Sequence, residues 1–333
     1  MFGEYRNIKI SGIASVAPER VVDNLDIVGK MGSKRAKRQV QLTGINRRHL
    51  CQEGQAASHM ATVAAERLLE KLDWDRDDIK VLVFVTQSPD VSTPATAMLI
   101  QKRLKIGVDC LAFDVNLGCT GYVSGLQIIA ALLGNIKGKG LLLVGDGKYY
   151  EGNGEATTTD GLLFGDGASA TALEYEEGAA GFLYSQYTDG SRHQLLTMSL
   201  DGDLYMDGNA ILLFSLDEVS KSIIDMRNHF QIDEGMVDYY ILHQAQKLIL
   251  DGIANECDIE NEKVLISYDE FGNTSTATIP FTICNNESIL KQKGRVGLFL
   301  SGFGVGLAWA NVYITVDTDT IMPVELSDFV YGE

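Results

Sequence analysis

The stretches LAFDVNLGCTG (111–121) and LISYDEFGNTS (265–275) follow one pattern: an apolar run carrying an Asp, then a Gly-x-Thr step. Read together they suggest one unit written twice, and an internal repeat decides a fold before any single element does. The repeat extends outward from these two segments. VLVFVTQSPD (81–90) matches VDYYILHQAQ (237–246), both strand-like runs that end in Gln. GLLLVGDG (140–147) matches VGLFLSGFG (296–304), both running into glycines. The separation of Gln87 from Cys119 is nearly that of Gln244 from Asn273.

Between the apolar runs lie helical stretches, AASHMATVAAERLLEKL (56–72) and AQKLILDGIANEC (245–257). In the first, Ala57, Met60, Ala61, Ala64 and Leu68 keep helical spacing on one face. Strand runs this continuously apolar imply sheets covered on both sides, as in α/β folds. The chain therefore reads as two similar α/β halves packed together, 1–175 and 176–320, with 321–333 as a short tail or frayed terminus.

Composition bounds the function. The 333 residues are 45% hydrophobic and 22% charged, with 5 Pro, as in an ordinary globular protein. No run of eighteen apolar residues implies a membrane span, and the N-terminus lacks the pattern of a signal peptide. Five cysteines without C-x-x-C spacing are expected to be reduced thiols in the cytoplasm, with no metal site. A net charge of −17 argues against nucleic acid as the main partner. One segment breaks that pattern: Ile27 to Gln52 has no acidic residue but holds Lys30, Lys34, Arg35, Lys37, Arg38, Arg47 and Arg48. It reads either as a solvated helix face or as a docking patch for a phosphate or an acidic protein.

In open α/β sheets ligands sit beyond the carboxyl ends of strands. Cys119 follows the run LAFDV and precedes the helical run TGYVSGLQIIAALL, a place where the helix dipole is expected to lower its pKa. His243 ends VDYYIL, where the first half has Thr86, and Asn273 stands where the first half has Cys119. Two facing halves would bring nucleophile, imidazole and amide into one crevice. SGFGVGLAWA (301–310) lacks G-x-G-x-x-G spacing and a following ribose-binding acid, so it is no dinucleotide loop. It is either a tight turn or a loop supplying an oxyanion N–H opposite that of Cys119.

GCTG at Cys119, HQA at His243, GNTS-x-x-x-x-P at Asn273 and the closing FGxG-x-x-W together resemble β-ketoacyl-acyl-carrier-protein synthase III and its relatives in the thiolase superfamily. TGINRRH (43–49), FGDGASA (164–170) and MDGNAILLF (206–214) support it, and the likeness runs from about residue 8 to about 316. The resemblance implies a duplicated thiolase-like αβαβα five-layer fold and a homodimer. It implies that Cys119 accepts an acyl group from a thioester, and that His243 and Asn273 bind the carbonyl of a malonyl carrier during decarboxylation. By the same resemblance the backbone N–H groups of Cys119 and Val305 form the oxyanion hole, where the family usually has Gly at the latter. Thr93, Met206, Gly208, Leu212, Gln246 and Gly304 would bind substrate, and Lys34, Arg35, Lys37 and Arg38 would dock the carrier. No cofactor is implied, since the thioester arrives on acyl carrier protein or coenzyme A.

The chain departs from the family where coenzyme A is held. Arg38 and Leu42 occupy positions where the enzymes that start fatty acids carry Trp and Arg, and Gln246 and Leu248 replace Asn and Arg. An Arg before FGDG is also missing, with Thr158 near its place. These losses favour a carrier-protein donor or a different acceptor. Acyl transfer from Cys119 to an amine or hydroxyl is the alternative to carbon–carbon condensation. A biosynthetic thiolase would need a second cysteine in SGFGVG. A papain-like protease shares the order Cys, His, Asn but not the repeat. A silent partner subunit would tend to lose triad residues.

Overall fold

The computed structural model describes residues 1–31, 34–147, 160–199 and 204–332; Thr158 lies outside them. Two sheets carry the fold. The first runs, in spatial order, Glu325–Leu326, Ile8–Ala17, Gly167–Tyr175, Lys139–Asp146, Ile79–Val85 and Leu111–Val115. The second runs Phe2–Tyr5, Phe182–Thr188, Ala308–Asp317, Arg295–Gly304 and Tyr239–Leu242. In each, a strand that leads to the crevice is parallel to its neighbour: Val81 is in register with Leu111 and Gly140, and Tyr239 with Leu298. Such strands bury both faces, which is why 81–85 is apolar without alternation, every residue there being wholly buried.

Five layers follow from what the helices cover. Helix Gly121–Ile136 and helix Thr278–Asn285 lie between the sheets, so Leu126, Ile129, Ile279 and Phe281 share one core with Val83, Leu298 and Val312. Helix Ala57–Leu72 and helix Thr96–Arg103 close the outer face of the first sheet through Met60, Leu68 and Ile100 against Leu82 and Phe84. Helix Ser220–Phe230 and helix Lys247–Glu256 close the second through Ile223, Met226 and Ile253 against Tyr240 and Phe299. This is the αβαβα arrangement. The periodicity of 56–72 is also realised, with Ala57, Met60, Ala61, Ala64 and Leu68 all buried.

Three expectations change. The run LISY does not form the second copy of LAFDV; only an isolated bridge joins Tyr240 to Val264 before the short helix Tyr268–Phe271. The reason is a side chain. The Leu265 N–H still donates to Tyr240 O at 3.1 Å, but beyond it buried Gln244 donates to the carbonyl of Leu242 at 2.7 Å and accepts from the N–H of Ser267 at 2.9 Å, where a longer strand would continue the ladder. Second, the termini cross: Phe2–Tyr5 lies in the sheet of the second half and Glu325–Leu326 in that of the first, while all other strands of the two sheets part between Tyr175 and Phe182. Third, the segment after 320 is docked rather than frayed. Ile321 is buried and bridges Ile13, Glu325 pairs with Arg67 at 2.5 Å, and the Tyr331 hydroxyl donates to Glu66 at 2.7 Å. No described helix is long and apolar enough to cross a membrane.

Candidate active site

Cys119, His243 and Asn273 line one cavity of about 840 Å³. The strands Ile79–Val85 and Tyr239–Leu242 end at its rim, and each half brings one loop to it. Cys119 sits just before Thr120, the residue that opens helix Gly121–Ile136. Strand Arg295–Gly304 turns back into Ala308–Asp317 beside it, with Gly304 in register with Ala308. This approach explains one glycine: Gly304 has φ +151°, and a Cβ there would stand 2.7 Å from Cys119 Sγ. The SGFGVG stretch is thus a hairpin turn pressed onto the sulfur. The N–H groups of Val305 and of Cys119 itself approach that sulfur and favour its thiolate.

The expected depression of the Cys119 pKa is not found. Burial pushes the thiol up to about 11, and the buried carboxylate of Asp146 adds to that, outweighing the two N–H groups. Cys110 and Cys257 are raised as far by burial. Cys119 therefore differs from them by its place on the cavity and by its backbone donors, not by an acidic resting thiol.

His243 caps its strand with its N–H donating to Ser301 O at 2.8 Å, and its Nδ1 lies 2.8 Å from Thr278 Oγ1. Phe303 meets the ring edge-on with centroids 5.5 Å apart. Burial lowers the imidazole pKa to about 3, so His243 is neutral across the physiological range. Asn273 Oδ1 accepts from the Ser275 N–H at 2.9 Å. That contact fixes the amide orientation and leaves its NH2 as the donor end of a cavity-lining residue.

Several of these neighbours carry no sequence signal of their own. Asp146 accepts from the Gln87 N–H at 2.7 Å, the Thr86 hydroxyl at 3.2 Å and the Thr276 N–H at 3.3 Å, tying the strand end of one half to the Asn273 loop of the other. It ends an apolar strand, as Gln87 does, and that position is the clue that could have marked it. Thr278 and Ser275 read only as turn and helix-start residues.

Of the substrate positions, Met206, Gly208, Gln246 and Gly304 line the cavity. Leu212 does not; its neighbour Ile211 does, because one residue turns a helix face by about 100°. Thr93 is exposed and donates to Ser92 O at 2.8 Å, while Pro89, Asp90, Val91 and Ser92 form the wall. In the basic segment, helix Lys34–Thr43 leaves Lys34, Lys37 and Arg38 exposed, with no ion pair to any of them among the described residues; the side chain of Arg35 lies outside that description. Arg47 and Arg48 are not part of such a face. Arg47 pairs with Glu270 at 3.0 Å, and Arg48 is buried, donating to Asn24 Oδ1 and Phe164 O.

Known proteins share this architecture. The sequence model described as 3-oxoacyl-[acyl-carrier-protein (ACP)] synthase III matches residues 113–190, and that of its C-terminal part matches 228–316. The β-ketoacyl-[acyl-carrier-protein] synthase III of Streptococcus gordonii is 32% identical over 326 residues, and that of Streptococcus sanguinis 31% over 323. Both alignments cover 92% of this chain and 99% of the relative. The crystal structure of 3-oxoacyl-(acyl-carrier protein) synthase from Burkholderia xenovorans superposes with a TM-score of 0.93 at 30% identity, covering 98% of this chain and 99% of that one. A duplicated αβαβα fold, a cysteine under a glycine hairpin and likeness over nearly the whole length make this chain a member of the β-ketoacyl-acyl-carrier-protein synthase III family of acyl-transferring condensing enzymes.

Proposed function

We propose that Cys119 takes an acyl group from a thioester and that His243 and Asn273 then drive decarboxylative condensation with a malonyl carrier, in fatty-acid or specialised-metabolite synthesis. The observation that carries the reading is the convergence of a thiol with two backbone donors, a neutral imidazole and a free amide NH2 on one largely apolar cavity. In the first half-reaction the sulfur of Cys119 bonds to the acyl carbonyl carbon and the donor thiolate leaves, taking the proton that Cys119 loses. The N–H groups of Cys119 and Val305 hold the tetrahedral oxyanion. In the second, the bond between the malonyl α-carbon and its carboxylate breaks and carbon dioxide leaves. The electron pair passes into an enolate whose oxygen accepts from His243 and Asn273. The carbanion attacks the acyl-enzyme, the carbon–sulfur bond breaks, and Cys119 takes a proton from water. The thioester is itself the activated species, so no resident metal or cofactor is required.

Leu163, Leu196, Met198, Leu204 and Ile211 give the cavity an apolar wall suited to an acyl chain. At the positions where relatives would hold coenzyme A, Leu42 and Leu248 are exposed, which favours an acidic carrier protein as donor. Lys34, Lys37 and Arg38, with Arg35, are the docking surface in this reading. The enzyme acts in the cytoplasm as a homodimer. Strand Leu111–Val115 ends its sheet with Leu111 exposed, an edge suited to pairing with a second copy.

Asn273→Ala and His243→Ala test the division of labour. Each should keep acylation of Cys119, read by intact-protein mass spectrometry, and lose malonyl decarboxylation by at least ~10²-fold, the scale of one oxyanion-type donor. Equal loss of acylation would instead place the protein among acyltransferases in which His243 activates thiol or acceptor. Reversing Lys34, Lys37 and Arg38 to Glu should raise the KM for carrier substrates and leave acyl-N-acetylcysteamine unaffected.

A further inference from the structure

A neutral imidazole holds one proton for two nitrogens, and only one placement lets His243 donate to a thioester carbonyl. Its Nδ1 stands 2.8 Å from Thr278 Oγ1, and both side chains are buried. The Thr278 hydroxyl has a single hydrogen and two partners in reach: Nδ1 at 2.8 Å, which accepts it only if the imidazole hydrogen is on Nε2, and the carbonyl of Ser275 at 3.3 Å. A hydroxyl donor is usually within about 3.0 Å of its acceptor, so the shorter contact wins the hydrogen. Thr278 is poorly free to turn away. It is β-branched, it opens helix Thr278–Asn285, and its carbonyl accepts from the Thr282 hydroxyl at 2.9 Å. Phe303 packs perpendicular to the imidazole, with ring centroids 5.5 Å apart.

We propose that Thr278 is the positioning residue that sets the tautomer of His243: its hydroxyl donates to Nδ1, which puts the imidazole hydrogen on Nε2. This rests on the condensing reading above and deepens it. With Nε2 protonated, His243 donates a hydrogen bond to the carbonyl oxygen that becomes the enolate. It has no lone pair on the cavity side with which to take the proton of Cys119. The imidazole gives up no proton in the decarboxylation; carbon dioxide carries off the carboxylate, and the electron pair is held on the enolate oxygen by the Nε2–H of His243 and the NH2 of Asn273. A Thr278 that donated to Ser275 instead would force Nδ1–H and turn His243 into a base.

The direct test is the imidazole nitrogen NMR spectrum of the unaltered protein, with the signal assigned by its loss in His243→Gln. Nε2–H is expected; Nδ1–H in the resting enzyme overturns the proposal whatever any variant does. Thr278→Val removes the hydroxyl at nearly constant shape and should cut malonyl decarboxylation by about 10- to 10²-fold, a loss of the scale expected when an oxyanion donor is misplaced. Cys119 acylation should stay within about twofold and the nitrogen spectrum should lose its single tautomer. Thr278→Ser should restore both. Decarboxylation and tautomer unchanged in Thr278→Val would dismiss Thr278. If His243→Ala itself decarboxylates normally, the failure lies with the condensing reading, because the tautomer assignment by NMR is independent of it.

Discussion

After strand Leu111–Val115 the polypeptide reaches Cys119 with a glycine on each side of the Cys119–Thr120 pair, and the hydrogen-bond donors that approach the sulfur are the backbone N–H groups of Val305 and Cys119. After Val264, at the matching point of the second half, the strand is gone; the side chains of Gln244 and Thr278 meet Ser267 and His243, and the main-chain N–H of Ser275 holds the amide of Asn273. One repeat has thus been adapted two ways. A nucleophile must be approached closely, so its surroundings are stripped to glycine and main chain. A pair of hydrogen-bond donors must be aimed, so its surroundings hold a hydroxyl that sets the tautomer and a main-chain N–H that sets the flip. The pseudo-symmetry supplies two loops at one crevice, and the difference between them supplies two half-reactions.

The comparison breaks most readily on its glycine side. Gly304→Ala drives a methyl into Cys119 Sγ from a φ that disfavours any side chain. Misplacement of about 1 Å at a reacting atom costs on the order of 10²-fold, and that loss is expected in the rate of Cys119 acylation by a small thioester. A variant that acylates at the normal rate would show that the hairpin does not close on the sulfur.

The next effect concerns charge. Because burial raises the Cys119 pKa to about 11, its thiolate fraction is small at neutral pH and grows as pH rises. Alkylation by iodoacetamide, followed by peptide mapping, should quicken about tenfold per unit between about pH 7 and 10 without levelling off. Removing the like charge with Asp146→Asn should move the curve toward lower pH. A plateau already below pH 8 would mean that the N–H groups of Val305 and Cys119 outweigh burial.

The smallest effect is one of fit. Thr93 is exposed in the single chain; the resemblance to the family implies that in the proposed homodimer this position would reach the partner's acyl pocket. Each further buried methylene is worth about 0.8 kcal/mol, or roughly fourfold, until the pocket ends. Self-acylation across a C2-to-C10 thioester series should therefore favour chains longer than acetyl, and Thr93→Phe should return the preference to the shortest. An unchanged profile in the Phe variant separates Thr93 from chain-length control.

Much of this was legible because periodicity and strand-end position are local signals. The helix over 56–72 and the meeting of Cys119, His243 and Asn273 at one crevice both follow from pattern alone. What escaped was decided by contacts remote in sequence. Nothing in LISY announces that Gln244 will satisfy its backbone, so a strand is expected where none forms. The acidity of Cys119 depends on burial and on Asp146, set against the N–H groups of Val305 and Cys119, and not on its place before a helix alone. Arg48 reads as one more charge in a basic run, yet it is spent inside the protein on Asn24 and Phe164.

The crossing of the termini has a consequence for how the chain comes to be folded. The second sheet takes its edge strand, Phe2–Tyr5, from a segment made before every strand of the first, while the first sheet is capped by Ile321 and Glu325–Leu326, made after every strand of the second. A nascent chain made as far as Tyr175 therefore holds one strand that has no sheet yet and one sheet whose edge is still open. Such an edge is a template for the wrong partner. During translation the first sheet is therefore completed only after the last strand of the second, Ala308–Asp317, has been made.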